Sequence, residues 1–327
     1  MKRRILSVLK KNKGLFISGE SISNELSISR TAVWKHINTL REEGYDIESL
    51  PKKGYRLLSS PDILTLEEIE EYLTTNFIGR NIYYFESLAS TNTKAKEIAL
   101  NEQEGTIIIA EEQTKGKGRL GRNWISPKKK GIWMSIILKP KLLPSEVAKL
   151  TLIGAVAVNR GLEDMGVGSY IKWPNDILID GKKVCGILTE MTCELNMINF
   201  VVMGIGINVN LDREDFSEEL RDKATSIRLA TGEEVDRKRL VGSILNYLEE
   251  LYIPFEERGD ISKTIEICRK KSILIGREVK VIRGDEELIG KALDIDDEGQ
   301  LIVEFKDGKI KKLFSGEVSI RGLEGYI

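Results

Sequence analysis

The run "GKGRLGRNWISPKKKG", Gly116 to Gly131, decides which kind of α/β chain this is. Gly116, Gly118 and Gly121 have the G-x-G-x-x-G spacing of a dinucleotide-binding turn. That turn needs a strand before it and a helix opening directly after its last glycine, because the helix N-terminus holds the pyrophosphate. Residues 106–110 read as the strand, but "EEQTK" intervenes, and Pro127 and Gly131 prevent a helix where one is needed. A Walker A loop fails as well, since Arg122 and Asn123 stand where Lys and Ser or Thr belong. A kinase glycine loop requires H-R-D and D-F-G segments, and the sequence contains neither.

From Lys115 to Lys130 there are seven basic residues and no acidic one. Glycines let backbone N–H groups converge on an anion, and Lys and Arg add charge-assisted hydrogen bonds, each worth about 1.5–3 kcal/mol. The loop thus reads as an anion site that orders around a mobile ligand; the alternative is a solvated basic loop. Trp124 favours the first reading, because an indole at the end of such a loop is suited to stacking on a flat ring.

Working outward, strands are expected at residues 81–85, 106–110, 132–138, 169–173, 176–179, 183–191 and 199–209, and helices at 92–100, 145–165 and 237–258. Neighbouring strands are joined by turns such as "DGKK", which makes a mixed α+β sheet a better fit than a doubly wound one. In "YIKWPNDILIDGKKVCGILTEM", Lys172, Asn175 and Asp176 end one strand, and a turn at Asp180-Gly181 returns Lys183 beside the next. A lysine near carboxylate and amide groups can hold an anion; as an exposed turn, "DGKK" needs no function at all. "LASTNTKAKEIA" sets Ser90, Thr91 and Asn92 before a helix. One caps it, and the others offer donors and acceptors suited to a ureido, amide or hydroxyl group. In "GIGINVN" the glycines and Asn208 mark a strand that another group approaches closely.

The first sixty residues read as a separate unit. Helices are expected at residues 2–10 and 20–26, then at about 30–43 behind Ser29 as N-cap. In the third helix Val33, Ile37 and Leu40 face a core and leave Arg30, Thr31, Trp34, Lys35, Asn38 and Arg41 outside it. Two strands around "PKKG" follow. This is the order of a winged helix-turn-helix, with the third helix placed for a DNA major groove and Lys52 and Lys53 on the wing for phosphate. A small helical domain with a solvated face, or one used for protein contacts, is the alternative, and Trp34 fits a partly buried position as well as a DNA-facing one. From Gly276 the chain turns into short β-rich runs with Glu298-Gly299 and Asp307-Gly308 turns, as in a small barrel.

Composition restricts function further. The 327 residues carry a net charge of −1, so any polyanion site is local rather than spread over the surface. Three cysteines without metal spacing and a single histidine, His36, argue against a protein-bound metal and against His-based catalysis. The apolar stretch at residues 5–9 is too short for a signal-peptide core, and that at 150–158 is too short to cross a bilayer. A cytoplasmic protein with no membrane partner is expected.

"STN", "EQTKGKGRLGRNW", "KWPNDILIDGKKVCGIL" and "GIGINVN", in that order and behind a winged helix-turn-helix, resemble the biotin–protein ligases of the bifunctional kind that also repress the biotin operon. The resemblance covers essentially the whole chain. It implies a winged helix-turn-helix at residues 1–62, a mixed-sheet catalytic domain similar to class II synthetases at 63–272, and a small SH3-like β-barrel at 273–327. It implies that biotin and Mg-ATP form biotinyl-5′-adenylate, which a lysine of a biotin carboxyl carrier protein then attacks. Ser90, Thr91, Asn92 and Gln113 would hold the biotin head, with Lys117, Gly118, Arg119 and Lys183 at its carboxylate. Gly116, Arg119, Arg122, Asn175 and Asn208 would hold ATP and the adenylate, with Trp124 on adenine. Lys183, Arg119 and Asp176 would be catalytic, Asp176 by orienting or deprotonating the acceptor lysine. The adenylate-bound chain would dimerise on a palindromic operator. Lys117 and Leu120 stand where this pattern has arginines, which leaves fewer bidentate phosphate partners. A lipoate–protein ligase and a non-enzymatic ligand-sensing regulator are the competing readings.

Overall fold

The structure is a computed structural model and describes residues 1–195, 197–283, 286–314 and 319–322. Residues 315–318 of the last β-rich run, and 323–327, lie outside the described residues. The chain divides into two compact units, Met1–Glu71 and Tyr72–Ile327.

The first unit is built from α1 (Lys2–Lys11), α2 (Gly19–Leu26), α3 (Arg30–Glu42), the hairpin β1 (Asp46–Leu50) and β2 (Gly54–Ser59), and the single turn α4 (Leu66–Ile69). Ser18 Oγ and Ser29 Oγ accept N–H bonds from Ser21 and Ala32, so the two helices of the helix-turn-helix start at hydroxyl caps. Ser27 ends α2 in the left-handed region at φ 53, which makes the sharp turn into α3. Val33, Ile37 and Leu40 are fully buried with Ile5, Leu9, Ile22 and Leu57, as the helical spacing requires. Gly54 sits at φ +101, and a Cβ there would lie 2.0 Å from the Ile17 carbonyl oxygen, so only glycine lets the wing close on the helices.

In the second unit β3 (Ile82–Phe85), α5 (Thr91–Ile98), β4 (Ile107–Ala110), β5 (Gly131–Leu138), α6 (Val147–Asp164), β6 (Tyr170–Lys172), β7 (Asp176–Ile179), β8 (Lys182–Glu194) and β9 (Met197–Asn208) come first. The strands form one seven-stranded sheet in the order β3-β4-β5-β9-β8-β7-β6, with β3 and β4 parallel and every other pair antiparallel. Side chains alternate along β9: Phe200 and Val202 pack with Ala95 of α5 and with Ala99 just after it, whereas Met203 meets Gly154 of α6. The two helices therefore cover opposite faces. Helix α6 is buried nearly all round because α8 (Arg237–Arg258) packs on its outer side.

Short α7 (Ile227–Thr231) precedes α8, and α9 (Ser262–Lys271) follows it. A five-stranded antiparallel sheet closes the described chain, from β10 (Glu278–Arg283), β11 (Glu286–Ile295), β12 (Leu301–Phe305), β13 (Ile310–Leu313) and β14 (Ser319–Arg321), in the order β13-β12-β11-β10-β14. Trp173, fully buried beside the "PND" turn, donates its indole N–H to the Gly299 carbonyl at 3.0 Å and so ties the β6–β7 end of the seven-stranded sheet to the five-stranded one. No helix among the described residues is long and apolar enough to cross a membrane.

Candidate functional site

The glycine loop is a β-hairpin, not a strand-to-helix turn. Trp124 N–H donates to the Gly116 carbonyl at 2.9 Å and Gly118 N–H to the Arg122 carbonyl at 2.7 Å. At its tip Leu120 (φ 57) and Gly121 (φ 71) both have positive φ, the requirement of a two-residue primed turn. A Cβ on Gly116 would lie 2.4 Å from the Trp124 carbonyl oxygen, so the first glycine is needed for strand approach. Lys117 and Arg122 are exposed on this hairpin, whereas Arg119 points inward and donates to Asn175 Oδ1 at 2.9 Å. Burial lowers the Arg119 pKa, with Asp176 acting in the opposite direction.

Beneath the hairpin lies the α5 face of β8 and β9, where Gly186 pairs with Gly206. These glycines make a floor for the Trp124 indole: a Cβ on Gly206 would lie 2.6 Å from Trp124 Nε1, and one on Gly186 would lie 3.0 Å from its ring. Trp124 Nε1 is buried without a hydrogen-bond partner. The inner cavity between floor and hairpin, reached by Thr91, Gln113, Lys117 and Lys183, holds about 40 Å3, enough for a water or two. Any ring system that lies on the glycine floor must displace the indole.

The polar head of the cavity is a connected network. Thr91 N–H donates to Gln113 Oε1 at 2.8 Å, Gln113 Nε2 donates to Ser126 Oγ at 3.0 Å, and Ser135 Oγ lies 2.7 Å from Thr91 Oγ1 and 2.6 Å from Asn92 Oδ1. Asn92 Nδ2 donates to Glu190 at 2.8 Å, and a Cβ on Gly204 would strike Asn92 Oδ1 at 2.2 Å. Burial raises the Glu190 carboxyl, but the bonds from Lys96 and Asn92 outweigh it and leave its pKa below the ordinary value. Ser90 is the cap of α5. Ser135 and Glu190 were invisible to the sequence reading, since Ser135 sits in an otherwise apolar strand.

A larger cavity of about 690 Å3 opens on the other side of Trp124, with Arg119, Arg122, Asn175, Asp176, Lys183 and Asn208 on its wall. Lys183 Nζ lies 2.5 Å from Asp176 Oδ1 and 5.2 Å from the centre of the Trp124 ring. Asn208 donates to the Thr225 carbonyl at 3.1 Å. Lys172 also lines this cavity, only 3% exposed, and burial lowers its pKa to about 8 against the raising effect of Asp176. Of the candidate residues, Ser90, Asn92 and Gly116 support the walls from behind; the others named for biotin and nucleotide line one or both cavities.

In the first unit, Arg30, Thr31, Lys35, Lys52 and Lys53 are exposed, and Trp34 is 54% exposed rather than partly buried in the core. A groove of about 860 Å3 runs between α3 and the wing past Arg30, Trp34 and Lys52. Arg41 is engaged differently: its guanidinium donates to the Ile47 carbonyl at 2.7 and 2.9 Å, to Ser49 Oγ and to Asn38 Oδ1, binding α3 to β1.

Three family models match the chain: an HTH domain at residues 2–56, the biotin/lipoate A/B protein ligase family at 84–208, and the biotin protein ligase C-terminal domain at 274–321. The chain belongs to the biotin–protein ligases, in their bifunctional ligase and repressor form. It is 44% identical over 307 residues to the bifunctional ligase/repressor BirA of Bacillus subtilis, covering 93% of this chain and 94% of that one. With the bifunctional ligase/repressor BirA of Escherichia coli the identity is 31% over 312 residues, 95% of each chain. Among solved structures, the biotin protein ligase of Aquifex aeolicus in complex with biotin and ATP superposes with a TM-score of 0.65 at 32% identity, over 74% of this chain and 99% of that one.

Proposed function

We propose that the chain joins the carboxylate of biotin to the α-phosphate of ATP, releases pyrophosphate, and passes the biotinyl group to a lysine of a biotin carboxyl carrier protein. The observation that carries this is the meeting of Arg119, Asp176 and Lys183 around Trp124 at one cavity that has a glycine floor on one side. Biotin lies on the Gly186–Gly206 floor with its ring system toward the Thr91–Gln113–Asn92 network, whose amide and hydroxyl groups suit a neutral ureido head. Trp124 leaves the floor as the ligand enters and covers adenine, which gives its indole N–H a new environment.

No nucleophilic side chain is required. The biotin carboxylate attacks phosphorus directly, and Lys183 and Arg119 stabilise the charge that develops on the α-phosphate oxygens. In transfer, the acceptor amine attacks the acyl carbon and AMP leaves. Asp176 orients the amine and takes its proton, since an ordinary lysine is an ammonium ion at neutral pH. ATP enters as its Mg2+ complex. Among the described residues no group of three or more His, Cys, Asp or Glu could hold a metal. Asp176 and Glu219, which line the outer cavity, would serve an ion that arrives on the triphosphate.

As a repressor, the adenylate-bound chain forms a homodimer in the cytoplasm and presents two winged heads to a palindromic operator. Biotin-dependent pyrophosphate–ATP exchange by the pure protein tests the enzyme, and its absence refutes it. Gel-shift titration with and without biotin plus ATP tests the coupling, which equal operator affinity in both conditions would refute.

A further inference from the structure

The hairpin that covers the adenylate hangs on two stems, Glu111 after β4 and Gly131 at the start of β5, and one buried side chain touches both. Arg237, the first residue of α8, is fully buried. Its Nη1 donates to Glu111 Oε2 at 2.8 Å and to the Gly131 carbonyl oxygen at 2.9 Å. Glu111 is itself fully buried and receives the Tyr84 hydroxyl at 3.2 Å. The Glu111 carbonyl in turn accepts from Lys129 N–H at 3.2 Å, which draws the two stems together a second time.

A fully buried ion pair is a poor way to gain stability, since well-packed apolar residues of similar size often do as well or better. What the guanidinium does here that an apolar side chain cannot is bond to two separate strands in a fixed planar geometry. Neither Arg237 nor Glu111 lines either cavity described above, so neither touches ligand.

We propose that Arg237, acting through Glu111 and Gly131, is a positioning residue for the nucleotide half-reaction. It fixes the base of the loop so that the hairpin closes on the adenylate as one piece and brings Arg119 to the phosphate. This rests on the reading of the hairpin as the adenylate lid. On that reading the loop closes over the ligand, and a misplacement of about 1 Å at a reacting group costs roughly 10²-fold in rate. Holding its stems is therefore a functional requirement distinct from holding the fold.

The test is the apolar replacement Arg237→Met with Glu111→Leu, which removes both charges of this pair together. Melting temperature, KM for ATP and for biotin in pyrophosphate exchange, and trypsin cleavage after Lys115, Lys117, Arg119 and Arg122 are measured with and without biotin plus ATP. The expected result is a wild-type melting temperature, a KM for ATP raised about tenfold or more with KM for biotin changed far less, and a loop that ligand no longer protects. A folded double variant with wild-type KM for ATP and full protection overturns the proposal. If that variant does not fold, Arg237→Lys carries the test alone: it keeps the charge but not the fork, and a wild-type KM for ATP in it overturns the proposal equally. Failure of biotin plus ATP to protect the loop of the unaltered protein would instead break the lid reading itself.

Discussion

On α3 and on the glycine hairpin the chain sets an arginine and a tryptophan, Arg30 with Trp34 and Arg119 with Trp124, in opposite surroundings. Arg30 is exposed and Trp34 is 54% exposed on a helix fixed by its Ser29 cap and its Val33, Ile37 and Leu40 core face. Arg119 is drawn inward against Asn175, and the indole nitrogen of Trp124 is sealed without a partner on a loop whose backbone is a short hairpin. Exposed charge on a rigid element suits a long polyanion, which must be met at many points and is felt at a distance. Inward-pointing charge on the wall of a cavity suits one small anion, bound the more strongly where water is excluded. The difference lies in burial and in what the backbone can do, and composition alone does not disclose it.

The largest effect expected from breaking this contrast is at Lys183. Lys183→Ala removes the ammonium paired with Asp176 and lowers biotin-dependent pyrophosphate exchange about 10²–10³-fold. Operator affinity measured without ligand stays as it was. An exchange rate unchanged by the substitution shows that the charge in the cavity is not the working one. Trp34→Ala is the matching change on the other surface. It costs about 1–3 kcal/mol of operator affinity, the worth of one good base contact, and leaves exchange untouched. Fluorescence anisotropy with labelled operator reads the first and the exchange assay the second; equal affinity places Trp34 outside the interface.

The sequence reading follows this same line between what local chemistry announces and what burial conceals. Helix α8 is found at residues 237–258, as its pattern predicted, because Asp236 caps it and Gly259 ends it at φ 70. Helices α1 to α3 are also found close to where the sequence placed them, the third behind its Ser29 cap with the i, i+4, i+7 core facing inward. Helix α9 was not anticipated: it has no side-chain cap, buries only Thr264, Ile265 and Cys268, and is otherwise mostly charged. The rejection of a helix after Gly121 was right, but the hairpin was not foreseen, since leucine at φ 57 is not a residue that signals a turn. In the site, Lys183, Arg119 and Asp176 stood out as charges at a strand end and in a glycine loop. Ser135, Glu190 and Arg237 did not, because periodicity treats a polar residue inside a core as noise until its partner, 43 or more positions away, is seen across the sheet.

Lys172 sharpens the comparison through pH. Burial holds its ammonium to a pKa of about 8, so it is charged below that pH and neutral above it. Affinity for the anionic nucleotide is therefore greatest below about pH 8 and falls as pH rises through it, by about tenfold for the loss of one charge-assisted bond. Lys172→Arg, which keeps its charge throughout, flattens the profile. Isothermal titration with ATP and biotin between pH 7 and about 9.5 measures it, and an equally steep fall in Lys172→Arg assigns the titration to another group.

The smallest effect belongs to the wing itself. Lys52 is exposed at φ 65 in the turn between β1 and β2, at the wing edge of the groove beside α3. A contact of that kind with phosphate acts mainly by releasing a condensed cation, so its removal weakens all DNA sequences about equally. Lys52→Ala should thus lower operator affinity several-fold and reduce the slope of log affinity against log salt by about 1, with no change in preference between operator and scrambled DNA. A loss of preference would mean that the wing reads bases, and a slope unchanged in magnitude would mean that it does not reach the duplex. Lys53 is a graded control, since its ammonium lies 5.8 Å from the centre of the Phe16 ring and is partly held by the protein. If exposure and freedom set the electrostatic contribution, Lys53→Ala reduces the slope by less than Lys52→Ala does.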